Sequence, residues 1–213
     1  MSLLSRAISS LLDVLAPPGC LACDAPAEGK PFCPACWAPV TLGKPARLDC
    51  APLVVLGAYR PPLSTAIVRF KYQGRPELSR SLAQMIAPAL DELTLASDAA
   101  LVPEPLHPRR LASRGYNQAT LLAQELAALR QRSCHPRLLR RVRETERQVG
   151  KSLSERRENP HGAFELRRGG PTRVVLVDDV VTTGSTVRAC AQALAAGGIE
   201  LAAVVALAHA EQP

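Results

Sequence analysis

The sequence predicts an α/β domain with a parallel β-sheet flanked by helices. A small module in which four cysteines bind a metal ion precedes this domain. Strand-like and helix-like segments alternate from residue 53 onward, and such alternation is typical of parallel sheets. The strand-like run Val174–Val177 is apolar throughout, as expected for a strand buried on both faces. Two CxxC pairs between residues 20 and 36 predict the module.

We expect residues 1–50 to form an N-terminal helix and the cysteine module, and residues 51–213 to form the α/β domain. Apolar residues that recur at helical spacing and stop before Pro17 indicate the helix. No uninterrupted apolar stretch reaches the length of a membrane span, so we expect a cytoplasmic protein. A reducing compartment argues against disulfides among the seven cysteines.

Hydrophobic periodicity gives the order of elements in the α/β domain. Helix 116–131 places Leu122, Leu126 and Leu129 on one face, and the helix starting at residue 185 ends at two glycines. In that last helix we expect Val187, Cys190, Ala191 and Leu194 to be buried. The predicted elements are strand 53–59, helices 62–72 and 77–92, strand 99–103, helix 116–131, strand 173–178, helix 185–196 and strand 200–207.

Positive charge is concentrated in the middle of the chain. The net charge is +7, and residues 101–173 carry 16 Arg and Lys against 7 Asp and Glu. Such a block favours an anionic partner, either a phosphorylated small molecule or nucleic acid, although a solvated surface is an equal alternative. Residues 133–171 are weakly periodic apart from a strand expected near Leu138 and Leu139, which indicates a disordered segment or a functional loop.

The cysteine pairs Cys20/Cys23 and Cys33/Cys36 are separated by nine residues, a spacing typical of a four-thiolate zinc site. The protein would supply all four ligands, so the metal would be structural. A redox CxxC or buried free thiols are the alternatives. We expect Cys190 in the core, and the sequence assigns no role to Cys50 or Cys134.

The stretch "VVLVDDVVTTGST" (residues 174–186) follows a strand and opens a helix. The backbone N–H groups of residues 183–186, together with the helix N-terminus, are suited to binding a phosphate. Hydroxyl groups can add donors, and they come from Thr182, Thr183, Ser185 and Thr186. The common nucleotide motifs GxxxxGK[ST] and GxGxxG are absent.

Asp178 and Asp179 would repel a phosphate unless they face another part of the same ligand. Ribose hydroxyls can donate hydrogen bonds to carboxylates, and a magnesium ion can be held through water. A sugar 5-phosphate fits both halves of the stretch, because its phosphate can bind the loop and its hydroxyls can donate hydrogen bonds to the carboxylates. A plain strand–turn–helix with a Ser or Thr N-cap would explain the hydroxyls, but it would leave the paired acids without a role.

This stretch is similar to the phosphoribosyl pyrophosphate (PRPP) signature of type I phosphoribosyltransferases. Together with the CxxC pairs, three further segments resemble the ComF/GntX family, whose bacterial members are associated with DNA uptake in natural transformation. They are "FKYQG" (70–74), "PLHPRRLASRGYNQA" (105–119) and "RETERQVGKSLSERRENPHGAF" (143–164).

The resemblance implies a type I phosphoribosyltransferase-like sheet and a site that binds Mg-PRPP. Asp178 and Asp179 would act at the ribose, and residues 182–186, including Gly184, would bind the 5-phosphate. Arg109, Arg110 and Arg114 would lie near the diphosphate, followed by Asn117 and Gln118. A mobile loop would close over the ligand with Thr145, Gln148, Arg156 and Asn159.

Two departures from the family pattern modify these expectations. Many relatives have a second pair of CxxC knuckles where this chain has only Cys50, so we expect one zinc ion. Glu104 stands where an apolar residue is usual. His107 could orient a diphosphate or stabilise a turn, and we expect structural or solvent-facing positions for His135, His161 and His209.

Two functions remain open. An enzyme would transfer a phosphoribosyl group from PRPP to an acceptor that the sequence does not identify. A non-catalytic module would keep the fold as a scaffold and bind single-stranded DNA or a partner of the DNA-uptake machinery. The low aromatic content, 3%, weakens the second hypothesis, because proteins that bind single strands stack bases on aromatic side chains.

Overall fold

A computed structural model describes residues 19–40, 43, 46–91, 93, 98–143, 162–167 and 169–210. The predicted N-terminal helix lies outside these residues. So do the four residues predicted for the mobile loop, which are Thr145, Gln148, Arg156 and Asn159.

The α/β order predicted from the sequence is confirmed in the described residues. Predicted strands and helices lie within three residues of the observed bounds, and the strand predicted at 173–178 continues to Val181. In chain order the elements are α1 (Pro34–Trp37), β1 (Ala46–Leu48), β2 (Ala51–Ala58), α2 (Leu63–Tyr72), α3 (Leu78–Asp91), β3 (Ala100–Pro103), α4 (Pro108–Arg114), α5 (Gln118–Arg130), β4 (Leu139–Arg141), β5 (Phe164–Leu166), β6 (Arg173–Val181), α6 (Ser185–Ala196) and β7 (Glu200–His209).

The main sheet has five strands in the order β1-β2-β7-β6-β3. Strands β2, β7, β6 and β3 are parallel, and β1 pairs with β2 in the antiparallel sense. The carboxyl ends of the four parallel strands therefore lie along one edge, where open α/β sheets bind ligands. Strands β4 and β5 form a separate antiparallel pair.

Strand β6 is buried on both faces, which explains its apolar run. Val175 and Val177 belong to one core cluster, together with side chains of α2, α3 and α5. Val174 and Leu176 belong to a second cluster on the opposite face, together with side chains of α6, β4 and β5. The sheet thus lies between two helical layers and presents its carboxyl edge to ligands.

Two side chains predicted to be buried in helices are not. Leu129, which the sequence places on one face with Leu122 and Leu126, lies in the last turn of α5 and is 37% exposed. Ala191 of α6 is partly exposed, and the neighbouring Ala189 is buried instead. Within the part of the chain described, no helix is long and apolar enough to cross a membrane.

Candidate functional site

The loop between β6 and α6 contains the residues predicted to bind a phosphate. Gly184 is the N-cap of α6 and has a left-handed backbone, with φ of 70°. A Cβ atom there would also lie 3.1 Å from Cδ2 of Leu48, so glycine is the residue that fits this turn. The loop thereby brings the chain from the carboxyl edge of the sheet directly into the first turn of a 12-residue helix.

Hydroxyl groups of this loop are organised by their own hydrogen bonds. The Thr183 hydroxyl donates to Oγ of Ser185 at 3.2 Å, and the Ser185 N–H donates to Oγ1 of Thr183 at 3.4 Å. Nε2 of His209, at the end of β7, lies 3.2 Å from the Thr182 carbonyl oxygen. Thr182 and Thr183 are exposed, so the loop presents polar groups to solvent.

Asp179 forms an ion pair with a lysine that the sequence analysis did not assign to the site. Nζ of Lys71, in α2, lies 2.7 Å from Oδ1 of Asp179, and each side chain is only 11% exposed. Burial of the ammonium group acts to lower the pKa of Lys71, but the adjacent Asp179 carboxylate raises it. Lys71 is therefore charged at neutral pH, and its ammonium group holds the Asp179 carboxyl group in place.

Asp178 lies beside a second carboxyl group, that of Glu104. The Glu104 N–H donates to the Val177 carbonyl at 2.8 Å, which places Glu104 next to the carboxyl end of β6. The Glu104 carboxyl group lies close enough to that of Asp178 for the two to interact, and Oε2 of Glu104 is buried without a hydrogen-bond partner among the described residues. Burial, and then repulsion from Glu104 and Asp179, raise the pKa of Asp178 well above its usual range. Burial also raises the pKa of Glu104.

A second cation reaches this group from the small sheet. Nη1 of Arg141, in β4, lies 3.7 Å from Oε1 of Glu104, and the Arg141 side chain is 6% exposed. We refer to Glu104, Asp178 and Asp179 as the carboxylate cluster. Lys71 and Arg141 compensate part of its charge. A ligand that donates hydrogen bonds, or that brings a cation, can compensate the remainder.

The segment predicted to lie near a diphosphate forms a short helix, α4. Nδ1 of His107 accepts a hydrogen bond from the Arg109 N–H at 3.4 Å, so His107 is the N-cap of this helix. This contact favours the turn-stabilising role for His107. Arg109 is exposed and Arg110 partly exposed.

Arg114 is held in place by two neighbours. Its Nη1 donates to Oε1 of Gln118 at 3.1 Å, and its Nη2 donates to the Tyr72 hydroxyl at 3.2 Å. The guanidinium carbon also lies 4.9 Å from the centroid of the Tyr72 ring. Gln118 is only 1% exposed, so the Arg114 guanidinium is bonded to a buried side chain.

Asn117 connects this segment with the carboxylate cluster. Its Oδ1 accepts from the Ala119 N–H at 3.0 Å, which caps α5, and its Nδ2 donates to the Glu104 carbonyl at 2.9 Å. The structure thus brings Arg114, Asn117 and the cluster to the same edge of the sheet. Sequence reasoning missed Lys71 and Arg141. The available signals were the segment "FKYQG" for Lys71 and the short strand near Leu139 for Arg141.

The four cysteines of the module lie together, with sulfur atoms all within 4.8 Å of one another. Cys23 Sγ is 3.8 Å from Cys33 Sγ and 3.7 Å from Cys36 Sγ. Tetrahedral Zn–S bonds of about 2.3 Å separate sulfurs by about 3.8 Å, so the arrangement fits zinc. Burial acts to raise the pKa of Cys20, but backbone N–H groups, that of Cys33 first, lower it to about 6.

The module is attached to α2 by a buried arginine. Arg69 is 8% exposed, and its Nη1 donates to the Leu21 carbonyl at 3.1 Å. Its Nη2 forms an ion pair with Asp24, and Nη1 of Arg75 lies 3.5 Å from the same carboxylate. Outside the module, Cys190 is buried in the core as predicted, and Cys50 and Cys134 are partly buried.

Comparison with known proteins gives matches over most of the chain. The phosphoribosyl transferase domain family matches residues 111–213. Competence protein F of Haemophilus influenzae is 38% identical over 166 residues, covering 74% of this chain and 72% of that protein. DNA utilization protein YhgH of Escherichia coli O157:H7 is 34% identical over 194 residues, covering 84% of this chain and 85% of that protein.

Among solved structures, an adenine phosphoribosyl transferase from Trypanosoma brucei, in complex with AMP, pyrophosphate and ribose-5-phosphate, matches with a TM-score of 0.45. It is 17% identical, and the match covers 78% of this chain and 74% of that one.

Proposed function

This chain belongs to the ComF family, and from that premise we propose that its carboxyl-edge site binds PRPP together with magnesium. The protein is phosphoribosyltransferase-like and linked to competence and DNA uptake. One observation carries the proposal: the paired acids Asp178 and Asp179 directly precede a glycine-capped loop that opens a helix. That order suits a ligand with hydroxyls at one end and a phosphate at the other.

Each part of PRPP has a proposed partner. Residues 182–186 bind the 5-phosphate through N–H groups and hydroxyls. Asp178 and Asp179 accept hydrogen bonds from the ribose hydroxyls, and the fixed guanidinium of Arg114 supports a role at the diphosphate alongside Arg109 and Arg110. Magnesium would come with the ligand and neutralise charge on the diphosphate.

We further propose that the protein transfers the phosphoribosyl group to an acceptor. The bond between the anomeric carbon and the diphosphate oxygen breaks, diphosphate leaves with the bonding electrons, and a lone pair of the acceptor forms the new bond to the anomeric carbon. Positive charge then develops on the ribose, where the carboxylates of Asp178 and Asp179 stabilise it. Thr145, Gln148, Arg156 and Asn159 would belong to the segment that closes over the ligand and excludes water.

The alternative is a module that binds single-stranded DNA, or a partner of the uptake machinery, without catalysis. The charge excess of +9 in residues 101–173 favours it. In both cases we propose that Cys20, Cys23, Cys33 and Cys36 bind a structural zinc ion, which the sulfur separations support.

Thermal unfolding with Mg-PRPP tests the ligand site. At about a hundred times its dissociation constant, the ligand should add about 2.7 kcal/mol and raise Tm by roughly 5–10 °C. The double variant Asp178→Asn/Asp179→Asn should lose this shift, whereas the exposed control Asp98→Asn should keep it. A shift of the same size in the double variant would contradict the proposed site.

Diphosphate release, measured with candidate acceptors, separates the two functions. Release that depends on an acceptor and disappears in the double variant identifies an enzyme. A protein that binds PRPP without releasing diphosphate, and binds oligonucleotides with steep salt dependence, is the module instead.

A further inference from the structure

Glu104 occupies a position in the carboxylate cluster that backbone pairing fixes. Pro103 of β3 is the register partner of Val177 of β6, and the Glu104 N–H donates to the Val177 carbonyl at 2.8 Å. Neighbouring parallel strands lie about 4.8 Å apart, and residues side by side on them project to the same face of the sheet. Glu104 follows Pro103 and Asp178 follows Val177, so the two carboxyl groups project side by side.

The alternation of side chains along β6 places Asp178 and Asp179 on opposite faces. Leu176 is buried on the face that α6 and β4 cover, and Asp178, two residues further on, projects to that face. On the same face, Nη1 of Arg141, in β4, lies 3.7 Å from Oε1 of Glu104. Asp179 projects to the other face, toward α2. Glu104 therefore forms a pair with Asp178 and not with Asp179.

Oε2 of Glu104 is an acceptor for which the described residues supply no donor. The side chain is only 14% exposed, and this oxygen is buried without a hydrogen-bond partner among those residues. An ionised Asp178 offers only acceptors, and its Oδ1 already accepts from the Asp179 N–H at 2.7 Å. A protonated carboxyl group has one O–H donor. One proton on the Glu104–Asp178 pair therefore supplies the donor that the pair lacks.

The charges around the pair also balance when one proton is present. Three ionised carboxylates in the cluster would face two cations, those of Lys71 and Arg141, and leave one buried negative charge uncompensated. Cys190 of α6 also acts on the pair, but burial raises the pKa of its thiol well above the usual range, so it is uncharged. The raised pKa values of Glu104 and Asp178, described above, agree with this balance.

We propose that Glu104 is a positioning residue that shares a single proton with Asp178, and that ligand binding displaces this proton. This inference rests on the proposed PRPP site, because a ribose hydroxyl would replace the proton as the donor to Asp178. On binding, the O–H bond of the pair breaks and the proton passes to the solvent, while the ribose hydroxyl keeps its own proton. An apolar residue is usual at position 104, so this proton dependence distinguishes the chain from the family pattern.

Calorimetric titration with Mg-PRPP counts the displaced protons. It is repeated between about pH 5 and pH 9 in two buffers of different ionisation enthalpy, because the difference in heat gives the number of protons released. Wild type should release up to about one proton more than Glu104→Gln, whose amide donates to Asp178 without a titrating proton. While the pair holds its proton, wild-type affinity should rise with pH by up to about tenfold more per unit than that of the variant.

Glu165→Gln is the matched control for the loss of a glutamate. Glu165 of β5 forms an ion pair with Arg140 at 2.6 Å, but its side chain is 56% exposed and lies outside the carboxylate cluster. Its proton release should equal that of wild type. The comparison between proteins cancels the protons that PRPP itself exchanges. Equal proton release by wild type and Glu104→Gln, while both bind Mg-PRPP, would overturn the proposal.

A measurement without ligand tests the shared proton independently of the PRPP site. Urea unfolding from about pH 4 to pH 8 compares wild type, Glu104→Gln, Asp178→Asn and the double variant. Wild-type stability should fall as pH rises, because the folded pair holds its proton more tightly than the unfolded chain does. Either single substitution should remove this fall, and the double variant should remove no more of it.

The two measurements distinguish failure of the shared proton from failure of the PRPP site. Additive effects of the two substitutions on the pH dependence of stability would overturn the shared proton, whether or not Mg-PRPP binds. Non-additive effects in a wild-type protein that does not bind Mg-PRPP would reject the PRPP site and support the shared proton.

Discussion

Asp178 and Asp179 are neighbours in sequence, yet their carboxyl groups have opposite surroundings. Asp179 faces the ammonium group of Lys71, and Asp178 faces the carboxyl group of Glu104. The first arrangement stabilises a charged carboxylate, and the second opposes one. The pair therefore combines a fixed acceptor with a group whose charge is compensated only in part by the protein.

This difference predicts opposite effects of the two Asn substitutions on stability. The raised pKa of Asp178 means that the folded state holds a proton more tightly than the unfolded state. Wild-type stability must then fall as pH rises from the ordinary Asp pKa, about 3.9, through the higher folded value. Asp178→Asn escapes this loss, so its stability relative to wild type should increase from pH 4 to pH 8.

Asp179→Asn should behave in the opposite way at neutral pH. It leaves the mostly buried ammonium of Lys71 without its carboxylate, which costs about 3 kcal/mol. Urea unfolding of both variants across this pH range measures the two effects. If Asp178→Asn lost stability relative to wild type as pH rose, the crowding of carboxyl groups around Asp178 would be refuted.

The sequence predicted the acids and the loop of the site but not their partners. Asp178, Asp179 and Gly184 follow one another within seven residues, so a local pattern reveals them. Lys71 is more than a hundred residues from Asp179, and its contact depends on where α2 packs against the sheet. The segment "FKYQG" marks Lys71 as a candidate residue, but the sequence does not show that Lys71 pairs with Asp179.

At the scale of elements, Asn117 links the start of α5 with the turn after β3. We expect Asn117→Ala to lose about 1 kcal/mol from the N-cap and about 1 kcal/mol from the bond to the Glu104 carbonyl. Asn117→Asp keeps the capping acceptor but lacks the donor. In urea denaturation, Asn117→Asp should therefore lose about half as much free energy of unfolding as Asn117→Ala. Equal losses in the two variants would show that the cap contributes nothing.

Elements were predictable where they have an apolar face of their own. Strand β6 and helix α6 have long apolar patterns, and α6 is followed by Gly197 and Gly198. Helix α4 has seven residues and no buried side chain, so its periodicity gives no signal. Strand β5 has three residues, and it is defined by pairing with β4 and packing on α6, which a local pattern does not contain.

At the scale of the molecule, the cysteine module shares a hydrophobic core with the α/β domain. Cys20, Leu21 and Phe32 are buried in the same cluster as side chains of α2 and α3. We therefore expect chelation of the proposed zinc ion to destabilise the whole chain. Unfolding should remain a single transition, with Tm lowered by on the order of 10 °C.

Differential scanning calorimetry with a chelator, together with a dye that detects released zinc, measures this coupling. Cys36→Ser should reproduce the effect of chelation. Cys50→Ser is the matched control, because Cys50 is also partly buried but lies outside the four-sulfur cluster. Two separate transitions, with the main one unchanged by the chelator, would contradict a shared core.

Helix α2 contacts both parts of the protein through residues only two positions apart. Arg69 binds the cysteine module at Leu21 and Asp24, and Lys71 binds Asp179 in the carboxylate cluster. The cysteine module therefore cannot be exchanged by cutting the chain at one point, because residues that support it lie within the sequence of the α/β domain. A chimaera that takes its cysteine module from a relative must also take that relative's residues at positions 69 and 75, while position 71 stays with the recipient.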